Sequence, residues 1–272
     1  MRTITFPNGR VLPAIGQGTW FLGDSPARRD DEIAALRAGL DAGLTLIDTA
    51  EMYGDGRSEE LVGEAIRGRR DDVFLVSKVL PWNADAAGTR ESLTASLRRL
   101  GTDRLDLYLL HWRGDVPLDE TVEVFEQLVA EGMIGQWGVS NLDVDDMADL
   151  PGSPATDQVV YNPSRRGIEF DLLPMLQGRR IPAMAYSPLE QARLLGDRRL
   201  GAIAAELGVT TAQLLLAWAV RDGDVLAIPK AASPAHTAEN VAALELELDA
   251  DVLAAIDARF PPPTRPEPLE ML

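Results

Sequence analysis

Apolar positions along this chain alternate between two patterns. Short, nearly continuous apolar runs bounded by glycine or polar turns occupy residues 15–19, 44–48, 73–79, 105–111, 134–140, 157–160, 182–186 and 225–228. Runs of this length and density read as strands covered on both faces. Between them, apolar residues recur three and four apart over 29–42, 58–67, 89–100, 119–131, 144–150, 169–177, 198–221 with a break near Gly208, and 234–244. That spacing gives one apolar face to a helix. Strand followed by helix, eight times over, implies parallel strands and closure into an α/β fold of the (β/α)8 TIM-barrel type, one domain spanning 1–272. A doubly wound sheet is the competing architecture. Against it, Gly16-Gln-Gly18-Thr-Trp-Phe21 lacks the third glycine of a dinucleotide fingerprint and does not lead straight into a helix. Ahead of the repeat, residues 2–13 alternate around Asn8-Gly9 and predict an N-terminal β-hairpin that plugs one end of the barrel. After it come an extra helix over 250–259 and a proline-rich tail over 260–272, expected to drape over the body.

Composition narrows the chemistry. With 46% apolar residues the chain can bury a sizeable core. No apolar run approaches the roughly 20 residues that span a bilayer. The opening Met-Arg-Thr-Ile-Thr-Phe-Pro lacks the apolar stretch of a secretory signal, so a cytoplasmic protein without membrane contact is expected. No cysteine is present and there are only two histidines, His111 and His236, which removes disulfides, thiolate metal sites and His-rich zinc sites; no metal is expected. A formal charge of −17 would repel nucleic acid and anionic lipid alike. Only two of the 26 basic residues are lysines, Lys78 and Lys230. Where arginine supplies positive charge everywhere else, a lysine marks a place that wants a compact ammonium.

In a barrel of this kind function collects where the strands exit. The second strand ends at Asp48, and Tyr53 follows in the same loop, ahead of Gly54, Gly56 and a helix opening at Ser58. The third strand ends at Lys78 and the fourth at His111. An ammonium beside Asp48 stays charged, and near Tyr53 it is expected to lower the phenol from its usual value of about 10. Such a tyrosine is a general acid for an alkoxide forming from a carbonyl. Singly, each residue has an ordinary use: a turn cap, a surface aromatic, a barrel ion pair, a hydrogen-bonded core histidine. Four of them at neighbouring strand exits point to a site.

At these residues the chain resembles the aldo-keto reductases, whose catalytic tetrad matches Asp48, Tyr53, Lys78 and His111. The likeness covers essentially the whole chain, through Gly43-Leu-Thr-Leu-Ile-Asp48-Thr-Ala-Glu-Met-Tyr53, Ser77-Lys78-Val, Asp106-Leu-Tyr-Leu-Leu-His111-Trp112, Trp137-Gly-Val-Ser140-Asn141, Tyr186-Ser-Pro-Leu189 and Ile228-Pro-Lys230-Ala. Within the family it is most similar to short bacterial members described as methylglyoxal reductases, through Glu51-Met-Tyr53, Pro81-Trp-Asn83 and Ile228-Pro-Lys-Ala-Ala232. The resemblance implies hydride transfer from a nicotinamide, with Tyr53 as proton donor, Lys78 and Asp48 tuning it, and His111 orienting the substrate. It implies that Ser140, Asn141 and Gln158 hold the carboxamide, that Tyr186 stacks on the nicotinamide, and that Ser187, Leu189 and Gln191 meet the pyrophosphate. Lys230 would meet the 2′-phosphate, with Glu239 and Asn240 at the adenine. NADPH is therefore the implied cofactor. Members that prefer it often carry Ser or Thr after that lysine and an arginine six positions beyond it, whereas this chain has Ala231 and His236; fewer donors weaken phosphate discrimination and leave room for NADH.

Trp20, Trp82 and Trp112 each follow a strand and are expected, with His111, to wall a substrate pocket, while Trp137 and Trp218 read as core. The short connection 113–118 and the brief tail imply an open site for small aldehydes, ketones or α-dicarbonyls. A monomer is the expected state. Two other functional classes fit parts of the sequence: a nucleotide-sensing binding protein that kept the cofactor cleft without turnover, and a barrel hydrolase using Asp48 and Glu51.

Overall fold

All six side chains of the strand Phe74–Val79 are buried, so the sheet must be covered on both faces, by helices outside and by the strands' own inward side chains within. The computed structural model describes residues 1–272. A hairpin of β1 (Thr3–Thr5) and β2 (Val11–Pro13) comes first, paired antiparallel. The parallel strands β3 (Gln17–Gly18), β4 (Leu46–Asp48), β5 (Phe74–Val79), β6 (Leu105–Leu110), β7 (Ile134–Ser140), β8 (Asp157–Val160), β9 (Ala183–Tyr186) and β10 (Val225–Ala227) then follow one another around a single eight-stranded sheet. Helices α1 (Arg29–Asp41), α2 (Arg57–Ala65), α3 (Ala86–Leu100), α4 (Leu118–Ala130), α5 (Val144–Asp149), α6 (Leu172–Arg179), α7 (Arg198–Glu206), α8 (Thr211–Ala219) and α9 (Pro234–Ala243) alternate with them, and α10 (Ala250–Asp257) leads to the tail. This is the (β/α)8 barrel expected from the pattern.

The barrel closes between its first and last strands. Gly16 N donates to Ala227 O at 2.8 Å, Gly18 N to Pro229 O at 3.0 Å, and Ala227 N to Ala14 O at 2.9 Å. Isolated bridges join Ile15 to Ala227 and Gly18 to Lys230. β3 has only two residues, shorter than the run 15–19 that sequence predicts, since Ile15 makes no more than its isolated bridge to Ala227. Gly18 is required at this seam: a Cβ there would lie 2.5 Å from Ile228 O, closer than any real contact. The hairpin seals the opposite end, with Phe6 buried and its ring 5.2 Å from that of Phe74, the first residue of β5. One contiguous hydrophobic cluster runs from Ile4 to Ile256 and takes in Trp137 and Trp218.

Other departures from the predicted elements have local causes. The segment 198–221 is two helices bent by 90°, because Gly208 ends the first in the left-handed region (φ 69°) and Thr210 with Gln213 forms a capping box that starts the second. α3 begins at Ala86, ahead of the predicted Thr89, since the Asp85 side chain caps Gly88 N at 2.7 Å. The predicted helix 169–177 becomes a 3-10 turn, Gly167–Glu169, followed by α6, capped by Asp171. No single helix is long and apolar enough to cross a membrane.

The seam gives a stability prediction. Gly18→Ala forces the β3 backbone away from Ile228 and should lower the unfolding free energy by about 1–3 kcal/mol, the usual cost of overpacking. Urea denaturation should show an earlier midpoint at unchanged slope; an unshifted midpoint would mean that the seam is soft.

Candidate active site

Strand register sets the first two groups. Asp48 pairs with Val76 on β5, so Lys78, two residues on, lies on the same face and one step nearer the mouth. Its ammonium donates to Asp48 Oδ2 at 2.7 Å, Thr49 O at 2.8 Å and Tyr53 Oη at 3.1 Å. An ammonium has three protons, and these partners use all three. Gln158, across the barrel on β8, donates from Nε2 to Asp48 Oδ1 at 2.8 Å. Both carboxylate oxygens are thereby held.

Tyr53 opens a 3-10 turn in the β4–α2 connection, where Gly54, Asp55 and Gly56 are all left-handed (φ 58°, 52° and 88°) and reverse the chain into α2. Two anchors fix this loop. Thr19 Oγ1 donates to Asp48 O at 3.0 Å and Ser58 Oγ to Thr19 O at 3.0 Å, while Glu51 Oε1 accepts from Leu80 N at 2.7 Å and Asn83 Nδ2 at 3.2 Å. Glu51 is thus tied to backbone and amide donors beyond β5, which leaves little for the hydrolase reading. His111 leaves β6 with its N–H bonded to Val79 O, and its ring meets Tyr53 edge-on, centroids 5.9 Å apart at 73°.

Burial dominates the electrostatics. It is the largest influence on Lys78 and alone would depress its pKa, yet Asp48 and Tyr53 outweigh it and the net direction is upward. The ammonium stays charged. For Tyr53 the expectation of a lowered pKa is overturned. Withdrawal from water raises it most, Lys78 pulls it down, Asp48 pushes it up again, and the net direction is upward. The cation's pull is opposed by the carboxylate it grips and by the loss of water around the phenol. Tyr53 is a neutral phenol, though part of its ring stays exposed at the mouth. His111 is driven down to about 2, by burial first and Lys78 second, so its imidazole is neutral, and its buried Nδ1 has no protein partner.

The predicted nucleotide residues form a second, connected group. Ser140 and Gln158 pair across β7 and β8, Ser140 Oγ donates to Gln158 O at 2.7 Å, and left-handed Asn141 (φ 59°) donates from Nδ2 to His111 O and Ser140 Oγ, both at 3.1 Å. Tyr186 Oη donates to Asn141 Oδ1 at 2.9 Å. Bonds therefore run unbroken from Lys78 through Asp48, Gln158, Ser140 and Asn141 to Tyr186. Beyond β9 the loop through Ser187, Leu189 and Gln191 is unusual: Ser187, Glu190, Gln191 and Ala192 are all left-handed. The backbone N–H groups of Leu189, Gln191 and Ala192 donate to no protein acceptor. Left-handed turns of this kind gather N–H groups into anion-binding hollows. Lys230 is exposed beside Gly18 at the seam, and unlike Lys78 it has no carboxylate partner. On α9, Asn240 is buried and Glu239 half-buried.

The aromatic wall is partly as expected. Trp82, 66% exposed, meets Trp112 edge-on at 5.8 Å, and Trp112 in turn packs on His111 at 5.0 Å. Trp20 stands apart, stacked at 4.3 Å on Phe21. Sequence reasoning passes over Phe21, which is half exposed and left-handed (φ 68°), a strained conformation for a bulky side chain. It also passes over Glu190, which is buried although its neighbour Gln191 is exposed. A buried glutamate inside a loop has no periodic signal by which to be found.

Comparison with known proteins identifies the family. The model of the Aldo/keto reductase family matches residues 14–259. Methylglyoxal reductase YeaE of Escherichia coli is 50% identical over 281 residues, which cover 100% of this chain and 99% of that protein. Crystal structures of an aldo/keto reductase from Klebsiella pneumoniae, one in complex with NADP and acetate and one with NADPH, have a TM-score of 0.97 to this chain at 54% identity, covering 100% of it and 99% of theirs. The thermostable aldo-keto reductase Tm1743, solved with the inhibitor epalrestat, has a TM-score of 0.88 at 37% identity, covering 95% of this chain and 99% of its own. With the family model spanning the barrel from β3 to α10 and relatives alike from end to end, the chain belongs to the aldo/keto reductase family.

Proposed function

We propose that this protein reduces aldehydes and small ketones, α-dicarbonyls such as methylglyoxal among them, to alcohols, with NADPH as the hydride source and Tyr53 as the proton donor. The observation that carries the reading is the commitment of all three Lys78 protons, one of them to Tyr53 Oη. The phenol oxygen accepts that bond, so its own proton is free to point into the cleft. The name of the Escherichia coli relative and the nucleotide complexes of the Klebsiella pneumoniae enzyme support the substrate class and the cofactor.

The donor set suits a dinucleotide: free N–H groups at Leu189 and Gln191 for a pyrophosphate, Tyr186 for a flat ring, the polar cluster of Ser140, Asn141 and Gln158 for a carboxamide, and unpaired Lys230 for a 2′-phosphate, with Glu239 and Asn240 on α9 for the adenine. When bound, the cofactor supplies the hydride that reduces the carbonyl carbon. Everything else falls to the chain. Neutral His111 orients the carbonyl oxygen by a hydrogen bond without competing for the proton, and Trp82 and Trp112 hold the remainder of a small substrate against apolar surface. As negative charge grows on the carbonyl oxygen, Tyr53 passes its proton across. Lys78 then stabilises the phenolate that remains, a charge present only late in the reaction, which is where stabilisation raises the rate. Asp48 and Gln158 keep the ammonium from moving.

Three outcomes are expected. Tyr53→Phe should lower kcat by a factor on the order of 10² or more, the scale of lost general-acid catalysis, with NADPH affinity by fluorescence titration little changed; near wild-type NADPH consumption with methylglyoxal would remove Tyr53 from its role, and binding without consumption in the wild type would mark a sensor rather than an enzyme. Lys230→Met should weaken NADPH binding more than NADH binding, since only the former carries the 2′-phosphate, and equal losses would refute the contact. The third concerns pH. The folded pKa of His111 lies near 2, below its usual value of about 6.5, so between those values the unfolded chain binds a proton that the folded chain does not. Stability should therefore decline as pH falls through about 6.5, while kcat for reduction shows no acid limb there. An acid limb near 6.5 that vanishes in His111→Asn would show the imidazole to be charged.

A further inference from the structure

Two adjacent arginines hold the C-terminal segment at its two ends. Arg166 Nη1 donates to Asp257 Oδ1 at 2.6 Å and Phe260 O at 2.7 Å, where the chain leaves α10, and its Nε donates to Glu169 Oε2 at 2.9 Å. Arg165 Nη1 pairs with Glu270 near the other end. Between these points Leu269 packs against the core, and Leu272 ends beside the Tyr186 hydroxyl. The tail thus drapes over the β8 and β9 side of the mouth.

The same Arg165 guanidinium turns its other edge to Glu190, with Nη2 at 3.0 Å from Oε1 and Nε at 3.3 and 3.4 Å from the two oxygens. Glu190 is 5% exposed and also accepts from Asn162 Nδ2 at 2.8 Å and Arg193 Nη2 at 2.7 Å. It is the buried anchor of the loop whose Ser187, Glu190, Gln191 and Ala192 are left-handed. Non-glycine residues hold that conformation only when their surroundings impose it. Here the imposition comes from a carboxylate gripped by three side chains, one of which also grips the tail.

We propose that Arg165 is a positioning residue that couples the C-terminal segment to the nucleotide loop: Glu270 fixes the guanidinium, the guanidinium fixes Glu190, and Glu190 keeps the free N–H groups of Leu189, Gln191 and Ala192 presented as an anion cradle. The inference rests on reading this loop as the pyrophosphate site. It makes a tail carboxylate, through one shared arginine, a contributor to cofactor affinity. A lysine replaces Arg165 only in part, because a single ammonium lacks the planar fork that serves two carboxylates at once.

The test uses the full chain and two measurements. NADPH titration by fluorescence should show affinity lowered about fivefold or more in Arg165→Ala and by a smaller factor in Glu270→Gln, a size typical of coupled sites. The double variant should be no weaker than Arg165→Ala alone, since both act through one group, Arg165→Lys should fall between, and kcat at saturating cofactor should stay near wild type. Glu270 has a side chain 44% exposed, so its variant keeps the test clear of folding defects. In the second measurement carboxypeptidase A releases Leu272. Without nucleotide, release should be faster in both single variants than in the wild type, and NADPH should slow it in the wild type but little in Glu270→Gln, because coupling is reciprocal. Identical affinities and release rates across all variants would overturn the tie while leaving the pyrophosphate reading intact. A wild type that does not bind NADPH would overturn that reading and the coupling with it.

Discussion

The site is built around a charge that has no water. Lys78 and Asp48 are essentially inaccessible, 2.7 Å apart, inside a barrel whose other inward groups are mostly apolar. Removing two ions from solvent costs several kcal/mol each, and such pairs often do no better for stability than hydrophobic residues of similar size. What the pair secures is location. With its three protons committed and both carboxylate oxygens held, the ammonium has one place to be, and the phenol that accepts from it has one orientation. Breaking either side would leave a bare ion in the barrel, so the arrangement tolerates few substitutions.

The upward shift of Tyr53 follows from the same constraint. A cation near a phenol lowers its pKa only to the extent that the cation's field reaches it uncancelled, and here a carboxylate lies against the ammonium while burial penalises the phenolate. A phenol that is weakly acidic at rest keeps its proton until charge appears opposite it. In the role proposed for Tyr53, donation would be coupled to the growth of negative charge on the substrate, and the environment would favour the end of the step rather than its start.

Much of this was legible in the chain. Polar residues that terminate long apolar runs, Asp48, Lys78 and His111, stand out because a buried parallel strand has no other use for them, and the eightfold alternation placed them at one end. The helix break at Gly208 was visible as well, though its 90° bend was not. What escaped depends on contacts between distant segments. Arg165 and Glu190 are ordinary surface types in sequence, and only the fold brings 165, 190 and 270 to one point. Phe21 is a case of backbone conformation, φ 68°, that no side-chain pattern announces. The Tyr53 shift escaped for a third reason: sequence names the neighbours of a titrating group but not how much solvent it has lost.

The seam between β3 and β10 also bears on how the protein comes into being. β3 pairs with β4 on one edge, but the N–H groups of Gly16 and Gly18 on its other edge find their acceptors only at Ala227 and Pro229, so that edge waits for the last strand. Pairings this distant in sequence are slow to form and keep sheet edges open in the meantime. During synthesis the earlier strands can assemble in turn, but the ring stays incomplete until nearly the whole chain has emerged. Lys230 bridges to Gly18 across that same junction, so the backbone on which it stands is set only when the ring closes.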